Sequence, residues 1–313
     1  MIMNALKYPA VLALLILFAG CDTASPSVHD EELVVESYLV AGEELPPIWL
    51  TRSLDVDGVW TESSAAVNDA SVVVMMVEEN GTTAETFVYE RTFSAPGKYV
   101  PATQHVVKSG ARYRLEAATT GLDPVSAETL VPESFEVLDV SHTEIEYLDP
   151  EQFSYLVTRS SFADRQSIFV FTIASGNPVP ENLVAPYLDF VFDREDIDSG
   201  EPLEFEPGDR EELARFTSPP INEGNYEILA DGTLRVRLPW FAVAFYGENE
   251  ITMSVLDDNL YDFQRYQQVQ QNGGLLSPGE IPNVLDPIEG GAGIFGSMAR
   301  VSRLVNVLPE AGN

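Results

Sequence analysis

Residues Ala111-Arg112-Tyr113-Arg114-Leu115-Glu116-Ala117 alternate between apolar and polar side chains, and this period of two constrains the fold more than any other feature. Successive side chains of a strand point to opposite faces. The pattern therefore sends Tyr113, Leu115 and Ala117 inward and turns Arg112, Arg114 and Glu116 to water. Comparable runs recur between turn signals: 33–40 (ended by Ala41-Gly42), 48–51, 70–77, 86–90, 97–100 and 125–131. Asn80-Gly81, between two of them, is the strongest short hairpin signal a sequence offers.

About seven short strands in a hundred residues, with no helical pattern among them, is the spacing of an immunoglobulin-like β-sandwich. The expected fold is therefore mainly all-β, with two β-sandwich domains. The first, immunoglobulin-like, occupies residues 32–132. Val131-Pro132-Glu133 marks the boundary, and residues 133–313 form a second β-rich domain. Within it 135–140, 167–174, 188–192, 234–238, 250–256 and 298–307 read as strands, 167–174 being apolar on both faces as in a central strand. One helix is expected near the C-terminus. Asp257 or Asp258 caps it, Leu260, Phe263 and Tyr266 share a face, and Gly273-Gly274 ends it.

The N-terminus reads as an export signal. Lys7 precedes an unbroken apolar run, 10–19, and Phe18-Ala19-Gly20 leads into Cys21, the only cysteine. That run is shorter than the roughly 20 residues needed to span a bilayer. Small residues directly before a thiol are what lipoprotein maturation uses. Residues 1–20 are thus expected to be a cleaved signal peptide, Cys21 the lipidated N-terminus, and 21–31 a polar tether. With its one thiol lipidated, the chain is left without a disulfide or a thiolate metal site.

The formal net charge is −33, from 17 basic and 50 acidic residues. Lysine is scarce: only Lys7, Lys98 and Lys108. A surface this acidic suits a salt-adapted protein, because screening relieves the self-repulsion. It excludes nucleic acid as a partner, whose phosphates require clustered Lys and Arg.

Few residues point to chemistry. Asp193, Glu195, Asp196 and Asp198 open an acidic loop continuing through Glu201, Glu204, Glu206 and Asp209. These oxygens make calcium the one candidate metal, although the spacing is not that of an EF-hand and a solvated acidic loop is the plainer reading. Gly290, Gly291, Gly293 and Gly296 lack the Lys-Ser/Thr of a phosphate loop and read as a structural turn, with Ile294 and Phe295 plugged into the core. His29, His105 and His142 have no metal-ligand spacing. Trp240-Phe241 with Phe245-Tyr246 reads as either an aromatic platform or, more simply, a core strand. No hydrolase motif is present, so no catalytic residue and no cofactor is expected, and the chain reads as a non-enzyme.

An ordered set of segments then resembles a known family. Leu33-Val34-Val35-Glu36-Ser37-Tyr38, Leu50-Thr51-Arg52-Ser53, Val67-Asn68-Asp69-Ala70-Ser71-Val72, Gly110-Ala111-Arg112-Tyr113-Arg114-Leu115, Ala127-Glu128-Thr129-Leu130-Val131-Pro132 and Gly290-Gly291-Ala292-Gly293-Ile294-Phe295-Gly296 follow its order. Together with the helix carrying Tyr261 and Tyr266, they resemble the envelope lipoproteins of domain-of-unknown-function family 4249. The resemblance implies a cell-envelope protein of the outer membrane, lipid-anchored through Cys21. It also implies an accessory or ligand-binding partner of a TonB-dependent β-barrel receptor, and it carries over no catalytic residue. A structural or adhesive surface lipoprotein is the alternative, and a hydrolase comes third.

Overall fold

The structure is a computed structural model that describes residues 31–54, 59, 61–160, 166–271 and 287–310. The first half follows the alternating runs closely: β1 (Leu33–Val40), β2 (Ile48–Arg52), β3 (Ser71–Val77), β4 (Thr83–Arg91), β5 (Lys98–Pro101), β6 (Arg112–Ala118) and β7 (Val125–Leu130). A one-turn helix, α1 (Glu62–Ala65), sits between β2 and β3. Tyr113, Leu115 and Ala117 are buried, as their alternation requires. The β3–β4 hairpin turns at Gly81, whose φ of 82° is the left-handed conformation the turn needs.

The second half adds β8 (Val137–Val140), β9 (Glu144–Glu146), β10 (Ser154–Val157), β11 (Ile168–Ser175), β12 (Arg215–Thr217), β13 (Ile221–Asn222), β14 (Glu227–Ile228), β15 (Leu234–Arg237), β16 (Gly247–Leu256) and β17 (Ala292–Leu308). Its helices are α2 (Ala185–Val191), α3 (Arg194–Ser199), α4 (Asp209–Leu213) and α5 (Asp258–Gln271). The expected class holds: the chain is mainly β, with α5 the one long helix, near the C-terminus. The stop at Gly273-Gly274 lies outside the described residues.

β17 organises both halves. Its first part pairs in parallel with β1, Val35 opposite Gly293 and Val40 opposite Met298. From Met298 to Val307 it runs antiparallel to β16. A single sheet therefore runs β12-β11-β16-β17-β1-β2-β5-β4-β3-β6-β7, and β14-β15-β10-β8 form a second, smaller one. The large sheet curls until β7 packs back against β17. This encloses one core built on Leu33, Val35, Tyr99, Tyr113, Leu115 and Phe295. A second core, around Tyr155, Phe169, Val236, Met253 and Val255, fills the space between the two sheets.

Close backbone approach makes two glycines necessary. A Cβ on Gly293 (φ 112°) would stand 2.0 Å from the Val35 carbonyl oxygen. One on Gly296 would stand 2.6 Å from Leu260 Cγ, under α5. The parallel β1–β17 pairing and the seat of the helix both depend on these absent side chains.

Two expectations need correction. Residues 188–191 are helical, within α2, and not a strand, and Phe192 is the extended residue that follows the helix. Leu-Asp-Phe-Val-Phe alternates, but Pro186 presets the first helical turn, and a helical spacing lets Tyr187, Leu188 and Val191 pack together around buried Leu183 and Phe245. Residues 238–246 do not form a core strand either. Trp240–Ala242 is a single helical turn after Pro239.

Candidate ligand-binding groove

The outer face of β12, β11, β16 and β17, opposite the second core, is a groove of about 600 Å³. Strand register sets its floor. Thr172 on β11 lies opposite Thr217 on β12 and Thr252 on β16, and Thr252 lies opposite Ser302 on β17. Four hydroxyls thus line up across four strands. They are hydrogen-bonded two by two, Thr172 Oγ1 to Thr217 Oγ1 at 3.5 Å and Thr252 Oγ1 to Ser302 Oγ at 2.7 Å. These residues share a face because strand side chains repeat every second position, and Thr172 and Thr252 are flanked by the core residues Phe171, Ile173, Ile251 and Met253, which face the other way.

The neighbouring rows carry charge. On one side, Arg215 and Glu250 flank the small Ala174, in the order β12, β11, β16. Both are exposed, and among the described residues neither makes an ion pair. On the other side, Ser254 lies opposite Arg300, and Arg300 forms a two-pronged pair with Glu43, Nε to Oε1 at 2.7 Å and Nη2 to Oε2 at 2.9 Å. The fork fixes the Arg300 side chain more than it stabilises the fold, since an exposed pair of this kind contributes at most about 1 kcal/mol. Two arginines and two glutamates leave this surface formally neutral within a chain of net charge −33.

The end wall is α5. Leu260 and Phe263 dock on Val170, Leu256, Ile294 and Met298, and this places Gln264 on the groove. The seat is fixed by a buried polar knot at the start of the helix. Asp257 accepts from the Leu260 N–H at 2.9 Å, capping the helix, and from Thr129 Oγ1 on β7 at 2.5 Å. Thr129 Oγ1 also meets Ser297 Oγ on β17 at 2.6 Å. Asn259 donates from Nδ2 to the carbonyls of Glu128 and Phe295, at 2.7 and 2.8 Å. Burial of Asp257, with the Asp258 charge adding to it, pushes its carboxyl up to about 6, although the hydrogen bonds from Thr129, Leu260 and Ser297 pull the other way.

The other sequence candidates fall elsewhere. Cys21 and His29 lie outside the described residues. Of the acidic run, Asp193 precedes α3, while Glu195, Asp196 and Asp198 ride on it, so the segment is a helix and not a loop. Asp196 faces a hollow it shares with Glu201, Glu204, Glu206 and Asp209, whereas Asp193, Glu195 and Asp198 do not line it. Among the described residues, no three His, Cys, Asp or Glu side chains gather closely enough to hold a metal ion. Gly290 and Gly291 lie in the turn entering β17, and Gly293 and Gly296 are inside that strand. Ile294 and Phe295 are buried. His105 is held by Tyr113 OH at 2.9 Å and against the Phe87 ring, and burial lowers its basicity. The four aromatics form no platform: Phe245 is buried, Trp240 and Tyr246 pack edge-on to Tyr147, and Phe241 alone is exposed.

The groove itself escapes sequence reading. Its row of hydroxyls exists only once four strands, distant in sequence, adopt their register. Val170 and Ala174 make 167–174 read as apolar on both faces, but one face carries Thr172 and lines the groove, and only Glu250, Thr252 and Ser254 on β16 show a polar strand face in the sequence.

Fold and groove define a mainly β protein with an open polar sheet face. The chain belongs to the family described as "Domain of unknown function (DUF4249)", whose model matches residues 22–303. No curated protein matches the sequence. Among solved structures it is similar to Escherichia coli alpha-2-macroglobulin activated by porcine elastase, at 12% identity and TM-score 0.24, over 90% of this chain and 24% of that one. Salmonella alpha-2-macroglobulin reacted with methylamine gives 10% identity and TM-score 0.22, over 88% and 15%. A tetra-tandem repeat from the extending region of a large adhesion protein gives 11% and 0.20, over 89% and 49%. The chain spans about a quarter or less of the macroglobulins it matches, and likenesses this distant transfer no activity.

Proposed function

We propose that this protein is a non-enzymatic lipoprotein of the outer membrane, anchored through Cys21, that captures a ligand and presents it to a TonB-dependent β-barrel receptor. The observation that carries the reading is the N-terminal sequence: a ten-residue apolar run closing on Ala19-Gly20-Cys21, the only cysteine of the chain. Acyl chains on that sulfur hold a protein to a leaflet by burying methylenes, at about 0.8 kcal/mol each. The folded body begins within a dozen residues of the anchor, at β1. The groove supplies a surface on which a ligand is held while the lipid confines the protein to the membrane plane.

Subcellular fractionation of the wild type and of Cys21→Ser tests the anchor. The wild type is expected in the outer-membrane fraction and the variant in the soluble one. A variant that stays with the membrane overturns the lipid-anchor reading.

A further inference from the structure

We infer that the groove across β12, β11, β16 and β17 binds a neutral oligosaccharide. The inference deepens the reading of this face as the ligand site and rests on it. Three observations carry it.

The first is the donor and acceptor inventory. Thr172, Thr217, Thr252 and Ser302 each present a hydroxyl that rotates to donate or accept. Gln264 does both, Glu250 accepts, and Arg215 donates. Such a mixed set matches a ligand whose own groups are hydroxyls, which likewise donate and accept.

The second is spacing. Adjacent strands lie about 4.8 Å apart, so the four residues span roughly 14 Å, with their oxygens drawn together in two pairs, at 3.5 Å and 2.7 Å. The row is thus longer than a single pyranose ring, and each hydroxyl pair offers a separate contact to an extended saccharide. The small Ala174 leaves a gap between Arg215 and Glu250 in which a ring presents one hydroxyl to each.

The third is charge. The groove is formally neutral and offers no local excess of charge to an ion of either sign, while the −33 of the whole chain repels anions and draws cations to the acidic surface at large. An extended peptide is the poorer fit. β11, β16 and β17 already hydrogen-bond to a strand on each side, which leaves only the three-residue edge of β12 for strand addition. The apolar lining, Val170, Leu256 and Met298, is confined to the end under α5. Among the described residues no aromatic side chain lines the groove, so the contacts they offer are hydrogen bonds without ring stacking.

The test is calorimetric titration of the full-length lipidated protein in detergent with cellohexaose, xylohexaose, laminarihexaose and maltohexaose, and in parallel with neutral and charged hexapeptides. The Thr172→Val/Thr252→Val double variant and the exposed Arg215→Ala are titrated alongside, each checked by thermal melting. At least one hexasaccharide is expected to bind. Its affinity should fall by about tenfold or more in the double variant and in Arg215→Ala, and should change less than about twofold between 0.1 and 0.5 M NaCl. Two results overturn the inference: no hexasaccharide binds, or both variants bind as the wild type does. Peptide binding that the variants abolish, without sugar binding, overturns the saccharide but leaves the groove as a ligand site. Membrane anchoring is read separately, by fractionation, so the two claims fail independently.

Discussion

Thr129 and Asp257 stand 128 residues apart in the chain yet share a buried hydrogen bond of 2.5 Å, which ties β7 of the first half to the helix that walls the groove. Ser297 on β17 completes the knot. The two halves are thus joined by polar chemistry as well as by a shared strand, and the joint includes a carboxyl that ionises with difficulty.

The pH dependence follows from that carboxyl. In the unfolded chain Asp257 ionises near 3.8, and in the fold near 6, so the folded state holds its proton more tightly. A raised folded value contributes stability that is complete below the unfolded value and lost as pH rises through about 6. The span is worth on the order of 3 kcal/mol. Asp257→Asn keeps an acceptor for the Leu260 N–H and cannot ionise. The stability of the wild type relative to Asp257→Asn, from urea unfolding between about pH 4 and 8, should therefore decline as pH rises. A difference that stays constant across that range would mean that Asp257 ionises in the fold as it does in the unfolded chain.

Glycine substitutions should separate backbone conformation from backbone contact. Gly81 and Gly293 both have positive φ, but a Cβ on Gly81 meets nothing within 4 Å, whereas one on Gly293 meets the Val35 carbonyl. Gly81→Ala should cost about 1 kcal/mol. Gly293→Ala should cost about 3 kcal/mol or more, since the β1–β17 pairing must open. Equal shifts in denaturation midpoint would mean that the parallel pairing tolerates a side chain.

Removal of Phe295, wholly buried in the first core though it comes from the last strand, should destabilise that half. Phe295→Ala is expected to cost about 3–5 kcal/mol. Hydrogen exchange should show the loss in β1 to β7 as well as in β17. Loss confined to β16 and β17 would argue that the first core closes without the last strand.

Salt should stabilise the protein. With a net charge of −33, raising NaCl from about 0.05 to 1 M shortens the screening length from over 10 Å to about 3 Å and relieves self-repulsion. Tm should rise. A flat or falling Tm would remove the case for a salt-adapted surface.

Legibility in the sequence tracked how local the determining physics is. β6 was readable because one face is buried and one is wet, so the period of two is written in its residues, while β1 and β3 were readable as β-branched apolar runs closed by Ala41-Gly42 and Asn80-Gly81. The α5 start was readable because an N-cap acts over three positions. Residues 188–192 misled because a five-residue apolar alternation fits a strand and a helix alike, and only packing around Leu183 and Phe245 decides. The acidic run misled because Asp and Glu suit a helix N-terminus as well as a loop. The hydroxyl row from Thr217 to Ser302, the partners of Asp257 and the parallel β1–β17 pairing were not readable at all, since each joins segments brought together only by sheet order.

The central claim is that this protein works beside a β-barrel receptor at the outer membrane. The most direct test is affinity purification of the lipidated protein from its native envelope in mild detergent, with mass spectrometry of what accompanies it. A TonB-dependent β-barrel in stoichiometric amount is the predicted result. A protein that elutes without any such barrel contradicts the account.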